Sequence, residues 1–68
     1  MKYNAKQFGL NVRQVRNERN ISQDQLAMRA GIDRSYMGRI ERGQVNITLE
    51  KVYRLADALD CPIQELIP

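Results

Sequence analysis

The sequence contains no histidine and a single cysteine, Cys61, among its 68 residues. One thiol cannot form an intrachain disulfide, and without a histidine or a second cysteine the chain lacks the ligands of the usual zinc sites. No histidine can act as a general acid or base, and no other pair of residues suggests these roles. We therefore expect no enzyme, no metal and no cofactor, and we interpret Cys61 as a small, buried or half-buried hydrophobic residue.

The sequence also lacks long apolar runs and flexible linkers. No run approaches the roughly eighteen apolar residues of a membrane span, and the amino-terminal segment has no apolar block of the kind found in secretory signals. With only two prolines and four glycines, no segment has the composition of a linker or a disordered tract. The sequence predicts one domain over residues 1–68, in the cytoplasm, with no membrane contact and no evident small-molecule ligand.

Positive charge is concentrated in the amino-terminal part of the chain. Residues 1–44 contain nine Lys or Arg and four Asp or Glu, whereas residues 45–68 contain two and four. The overall net charge of +3 suggests a polyanionic partner such as nucleic acid. The distribution indicates that residues 1–44 meet this partner.

Apolar spacing and capping residues predict an all-α fold of five short helices, and strand signals are absent. The predicted N-cap residues are polar side chains that can accept a hydrogen bond from an amide of the first turn. The predicted stops are residues that tolerate a left-handed backbone. The caps are Asn4, Ser22, Asp33 and Thr48, the stops are Asn20, Gly31 and Gly43, and Pro62 opens the fifth helix.

Residues 23–42 contain the pattern of a helix-turn-helix motif. Two short helices are joined by a turn with glycine, which is the arrangement that presents the second helix to the major groove of DNA. At about 100° per residue, Met37 and Ile40 define the inner face of this second helix. The opposite face carries Ser35, Arg39 and Arg42, with Arg34 at its edge.

The run ISQDQLAMRAGIDRSYMGRIERG and the flanking segments VRQVR and LADALDCPIQEL resemble the Cro/C1-type helix-turn-helix family, also called the XRE family. The similarity extends from about Phe8 to Leu66. It implies a compact five-helix bundle of the lambda-repressor-like DNA-binding type. Residue types typical of the family occupy Gln23, Leu26, Ala27, Gly31, Met37, Ile40, Glu41 and Gly43.

Part of the sequence resembles one subclass of the family, and three positions depart from the family pattern. The segment DRSY followed by GRIERG is similar to the controller proteins of restriction-modification systems, a subclass with similarly short chains, and phage repressors belong to the same family. Asn20 and Asp60 stand where glycine is frequent, but both tolerate the required backbone. Pro62 stands where a serine cap is usual.

The resemblance assigns base-reading positions to the third helix, at Arg34, Ser35 and Arg39. An arginine can donate two hydrogen bonds to the O6 and N7 atoms of a guanine. Tyr36 lies at the edge of the inner face, where its ring either packs in the core or contacts a thymine methyl group or a phosphate. Asp33 has the wrong charge for DNA and is interpreted as the helix cap.

Phosphate contacts are expected on either side of the third helix. Ser22 and Gln23 begin the second helix, where backbone amides and the helix dipole favour a phosphate, and a glutamine there clamps the DNA backbone in the family. Arg42, Gln44 and Asn46 are similar to family positions that touch phosphates. An ordinary polar loop is the alternative for Gln44 and Asn46.

The resemblance also implies an ion pair between Arg16 and Glu41 that ties the first helix to the third. A contact of Arg16 with DNA is the alternative. Around the axis of the third helix, however, Glu41 lies only about 80° from Asp33, on the core side, where it can pair with Arg16. We hypothesise that the pair orients the third helix.

The predicted function is a transcriptional regulator that binds double-stranded DNA in a sequence-specific way. One domain reads few base pairs, so we expect a homodimer on a roughly palindromic operator, with residues 33–42 in the major groove. The alternative is a helix-turn-helix protein-interaction module, such as an antitoxin or a coactivator component. The apolar residues predicted to form the dimer interface are Leu55, Leu59, Ile63, Leu66 and Ile67.

Overall fold

The computed structural model describes residues 4–68, and within this range the chain forms helices and no strands. The predicted all-α class is therefore confirmed. The predicted fifth helix is a single 3₁₀ turn of three residues, which follows Pro62. The elements are α1 (Ala5–Glu18), α2 (Gln23–Ala30), α3 (Arg34–Glu41), α4 (Leu49–Leu59) and the 3₁₀ turn (Ile63–Glu65).

Each α-helix begins at the predicted cap. The Ser22 hydroxyl accepts from the Gln25 amide at 3.1 Å, and the Gln25 side chain accepts from the Ser22 amide at 2.9 Å, which completes a capping box. The Asp33 carboxylate accepts from the amides of the first turn of α3. Asn4 and Thr48 cap α1 and α4 in the same way.

Left-handed residues end the helices, as predicted. Asn20 and Asp60 have φ angles of 57° and 53°, so both residues adopt the left-handed conformation that glycine adopts most readily. Gly31 and Gly43 have φ angles of 66° and 71°. These corners turn the chain sharply enough for four short helices to pack together.

Two glycines allow α1 to lie directly against α3. A Cβ atom at Gly9 would lie 2.5 Å from the carbonyl oxygens of Ile40 and Glu41. A Cβ atom at Gly43 would lie 2.7 Å from the Cα of Lys6. Both distances are far below van der Waals contact, so only glycine permits this separation of the two helices. The close contact with α1 sets the position of α3 relative to the rest of the protein.

The core lies between α1, α2, α3 and α4. Its largest side chains are completely or almost completely shielded from solvent, which accounts for most of the apolar stabilisation available to a chain of this size. These residues are Phe8, Val12, Leu26, Met37, Ile40, Leu55, Leu59 and Leu66.

Part of the predicted dimer interface is wrong, because three of its residues belong to this core. Leu55, Leu59 and Leu66 have no exposed surface. The broad apolar stripe of α4 is buried within the protein itself, since α4 packs against α1, α2 and the 3₁₀ turn. Ile63 is half-buried and Ile67 is exposed, so only these two remain accessible to another molecule.

Arg19 has a role that the helical pattern did not indicate. It follows α1 as the C-cap residue, and its guanidinium donates to the carbonyls of Leu59 at 2.6 Å and Asp60 at 3.2 Å. These carbonyls end α4 and have no partner within that helix. Arg19 therefore caps a helix that lies forty residues further along the chain.

None of the helices described between residues 4 and 68 is long and apolar enough to cross a membrane.

Candidate nucleic-acid interface

An open groove runs along the outer face of α3. It has a volume of about 350 Å³. Three of its lining side chains are arginines, and no carboxylate lines it among residues 4–68. The groove is therefore a surface of positive charge that is matched to an anionic ligand. Its lining residues are Gln23 from α2 and Arg34, Ser35, Gly38, Arg39 and Arg42 from α3. We call it the arginine groove.

Gly38 is part of this groove and was not among the predicted site residues. It is buried, one turn before Arg42 on α3. A Cβ atom at Gly38 would approach Nη1 of Arg42 to 3.0 Å. The absence of a side chain thus allows the Arg42 guanidinium to lie across α3. The spacing of three from Ser35 and four from Arg42 is the signal that could have identified Gly38.

Arg34 is engaged by a residue of α2. Its Nε atom forms an ion pair with Oδ1 of Asp24. Both side chains are largely exposed, with 76% of the Arg34 and 62% of the Asp24 surface accessible. Neither the apolar pattern nor a family motif position singles out Asp24 in the sequence. It lies close to Arg34 only because α2 and α3 cross at this point.

Tyr36 is half-buried at the edge of α3, outside the groove lining. Its ring packs against the core cluster, and the Lys51 ammonium lies 4.6 Å above the ring centroid. This distance is within the range of a cation–π interaction. The ring therefore contacts the core and a cation from α4 at the same time.

Glu41 lies at the centre of a buried polar cluster that ties α1, α2 and α3 together. Its side chain has no exposed surface, and Arg16 lies against it with Nε at 2.6 Å from Oε2. A second Arg16 contact, from Nη2 to Oε1, measures 3.1 Å. Arg13 and Gln23, which were not predicted partners, donate to Oε1 at 3.4 Å and 2.9 Å. The carboxylate thus receives four hydrogen bonds from two helices.

The cluster holds Glu41 in its ionised form. Burial raises the pKa of this carboxyl, but the hydrogen bonds from Arg16 and Gln23 and the positive charge of Arg16 outweigh it. The pKa is therefore below its ordinary value. A buried carboxylate requires such partners, because an uncompensated charge inside a protein is strongly destabilising.

The family of the chain follows from a comparison with known proteins. The helix-turn-helix family model HTH_3 matches residues 12–66, which include α2, α3 and the groove. The chain belongs to this helix-turn-helix family. The resemblance to the Cro/C1 type, stated for residues 21–43 and their flanking segments, is thus confirmed.

Several relatives of this helix-turn-helix protein are control proteins. Control protein C.SmaI of Serratia marcescens is 44% identical over 57 residues, which are 84% of this chain and 68% of that protein. Control protein C.BamHI of Bacillus amyloliquefaciens is 36% identical over 61 residues, 88% of this chain and 75% of that protein. The crystal structure of the restriction-modification controller protein C.AhdI from Aeromonas hydrophila matches with a TM-score of 0.90 and 43% identity, and covers 93% of this chain and 96% of that one. By family, the chain is a DNA-binding transcriptional regulator.

In this helix-turn-helix protein, the Gln23 side chain contacts both the buried Glu41 cluster and the groove. One N–H of its amide is held by Glu41 at 2.9 Å, and the side chain also lines the groove. The amide group has a second N–H. Ser22 accepts from Gln25 at its hydroxyl oxygen, which leaves the hydroxyl hydrogen as a donor.

The remaining predicted phosphate-contacting residues lie at the end of α3 and in the loop that follows. Arg42 Nε donates to the Gln44 side chain at 3.3 Å. Asn46 is exposed in the loop before α4. Of the three residues, only Arg42 lines the groove.

Cys61 lies away from the groove and is half-buried next to the 3₁₀ turn. Burial and the negative charge of Glu65 raise the pKa of its thiol. The nucleophilic thiolate is therefore disfavoured. This environment agrees with the interpretation of Cys61 as a packing residue.

Proposed function

We propose that the protein binds double-stranded operator DNA in the cytoplasm, with α3 in the major groove. The groove of three arginines carries this proposal, because it lies on the second helix of the motif and faces away from the core. Arg34 and Arg39 present guanidinium groups that can each donate two hydrogen bonds to a guanine. Ser35 reads the base between them, and Tyr36 contributes the accessible part of its ring at the edge.

Phosphates of the DNA backbone are bound on both sides of α3. Ser22 and Gln23 approach one strand from the start of α2, where the hydroxyl hydrogen of Ser22 and the second amide N–H of Gln23 are available. Arg42, Gln44 and Asn46 approach the backbone from the end of α3. Because phosphate contacts do not depend on the base, they set the register in which α3 reads the sequence.

The protein binds its operator as a homodimer. Each copy has one α3 to place in the major groove, and the half-sites of a palindrome lie about 34 to 36 Å apart, one helical turn. One copy therefore reads one half-site, and two copies related by a twofold axis read a palindrome.

The accessible apolar residues of α4 and the carboxyl-terminal segment form the dimer interface. Leu49 and Tyr53 lie one turn apart on α4, and both are more than half exposed. Leu49 shares a groove with Ile67, and Tyr53 lines a depression with Ile63. The four side chains thus form one strip, which replaces the predicted interface through Leu55, Leu59 and Leu66.

Selection of bound duplexes from random DNA tests the function. We expect the wild type to enrich a palindrome, and Arg34→Ala to lose preference for one guanine in each half-site by about 5- to 100-fold. Arg54→Ala removes an equal charge from α4, outside the arginine groove, and is expected to retain the preference. Equal losses on selected and random duplexes would assign Arg34 to phosphate binding instead.

The salt dependence of binding tests the same proposal against a protein-interaction module. Phosphate contacts release counterions, so the affinity of the dimer is expected to fall about 10³-fold or more between roughly 50 and 200 mM salt. Absence of duplex binding at the lowest salt would contradict the proposed function and favour a role in protein assembly.

A further inference from the structure

The ion pair between Asp24 and Arg34 has no evident role in stability. Both side chains are mostly exposed, and ion pairs in such positions contribute little to the free energy of unfolding because water screens them. The pair instead lies at the mouth of the arginine groove, since Arg34 lines that groove and Asp24 is next to Gln23. A carboxylate there is unfavourable for the approach of a polyanion.

The atoms of this pair show what Asp24 does to Arg34. A guanidinium has five N–H donors in one plane, one on Nε and four on the two terminal nitrogens. Asp24 Oδ1 lies against Nε in this ion pair, on the side of the guanidinium away from the terminal nitrogens. A guanine needs two donors in one plane for its O6 and N7 atoms. Asp24 therefore restrains the guanidinium from its Nε side and leaves free the end that a guanine requires.

We infer that Asp24 is a positioning residue that holds Arg34 end-on for guanine and thereby determines sequence specificity. This inference rests on the proposed function. Asp24 acts in two ways that both favour discrimination. Its charge weakens binding to DNA of any sequence, and its contact with Arg34 strengthens the one interaction that depends on a guanine.

The alternative role for Asp24 is stabilisation of α2. Asp24 lies in the first turn of this helix, where a negative charge interacts favourably with the helix dipole. That role concerns the stability of α2 and has no connection with the identity of a base. The two roles are separated by measuring base preference and melting temperature on the same variants.

The test is selection of duplexes from random DNA with the wild type, Asp24→Ala, Asp24→Asn and Arg34→Ala. Asp24→Ala removes both the charge and the acceptor, and we expect it to weaken preference about 3- to 10-fold at the same guanine that Arg34→Ala no longer selects. Asp24→Asn keeps an acceptor oxygen and should restore most of this preference. Both Asp24 variants should bind random duplex about two- to fivefold more tightly.

Glu50→Ala is the matched control, because it also removes a carboxylate that pairs with an exposed arginine, Arg54, at 3.4 Å on α4. It should leave the guanine preference unchanged. An unchanged guanine preference in Asp24→Ala, or a lower melting temperature with equal losses on all duplexes, would overturn the inference alone. A wild type that enriches no sequence would overturn the proposed function together with it.

Discussion

At the scale of single residues, Glu41 links the fold to the site. Its carboxylate is buried and is bonded to Arg16 and Arg13 from α1 and to Gln23 from α2. Removing one member of such a cluster leaves buried charge without compensation, which costs more than the cluster contributes as a whole. The same hydrogen bonds fix Gln23 beside the groove, so the cluster also sets the geometry of a proposed phosphate contact.

We expect the stability of the protein to depend on the ionisation of Glu41. Its pKa in the folded state is below the ordinary value of 4.5, so the stabilisation is fully present above about pH 5 and is lost as the pH falls below this value towards the folded pKa. Urea unfolding between about pH 3 and pH 7 measures this loss.

Glu41→Gln is the control for this prediction. The variant should be about 3 kcal/mol less stable at neutral pH, because Arg16 keeps its charge without a counter-charge. It should also lose less stability on acidification than the wild type. If the two proteins lost equal stability on acidification, or if the variant kept both its stability and its affinity for the selected duplex, the orienting role of the cluster would be wrong.

At the scale of secondary structure, local interactions begin the helices and distant ones complete them. Each N-cap side chain bonds to an amide within three residues of it. The carboxyl end of α4 differs, because its carbonyls are capped by Arg19, which follows α1. This contact joins the first helix to the last α-helix and supports the segment that carries the 3₁₀ turn.

Arg19→Met tests this contact. The substitution keeps an apolar stem but removes the two hydrogen bonds to the end of α4, and we expect a loss of about 1 to 3 kcal/mol in the free energy of unfolding. Amide hydrogen exchange should accelerate first at Asp60 and Cys61, whose amides bond to the last turn of α4. Arg29→Met, an exposed arginine on α2, should change stability by less than about 0.5 kcal/mol. Equal effects of the two variants would contradict the capping role.

At the scale of the whole molecule, the surface carries a charged part and an apolar part. The arginine groove is formed by α2 and α3, whereas the exposed apolar strip is formed by α4 and the carboxyl-terminal segment. Residues 45–68 carry a net charge of −2, so two copies that approach through them repel each other less than they would through the more highly charged residues 1–44. This separation suits a dimer whose two grooves contact the same face of DNA.

The combined substitution Leu49→Asp and Ile67→Asp is expected to give a folded monomer. Both side chains are exposed, by 65% and 49%, so the core remains intact, while two charges in each half of a symmetric interface repel their copies. Sedimentation should show the monomer mass, and affinity for the selected palindrome should fall about 100-fold or more because the two half-sites are bound independently.

Met28→Asp controls for an added charge at an exposed apolar residue, since Met28 is 76% exposed on α2. We expect this variant to sediment like the wild type. A monomeric wild type, or a dimer that persists in the double variant, would place the interface elsewhere or remove it.

The sequence by itself determined the features that depend on neighbouring residues. Caps at Ser22 and Asp33, the left-handed stop at Asn20 and the outer face of α3 follow from hydrogen bonds and spacing within about four residues. Such interactions are present in any chain with these residues in this order. For the same reason, the residues that line the groove from α3 were predicted, apart from Gly38.

Only the tertiary structure decided which side chains from distant segments meet. Leu55 and Leu59 have the same apolar pattern whether they face the core or a partner, and the packing of α4 places them in the core. Arg19 at the end of α4 and Asp24 beside Arg34 depend on how helices cross, since their partners lie forty and ten residues away. The sequence pattern along a helix determines which residues share a face. Which other element or molecule that face contacts is determined by the packing of the whole chain.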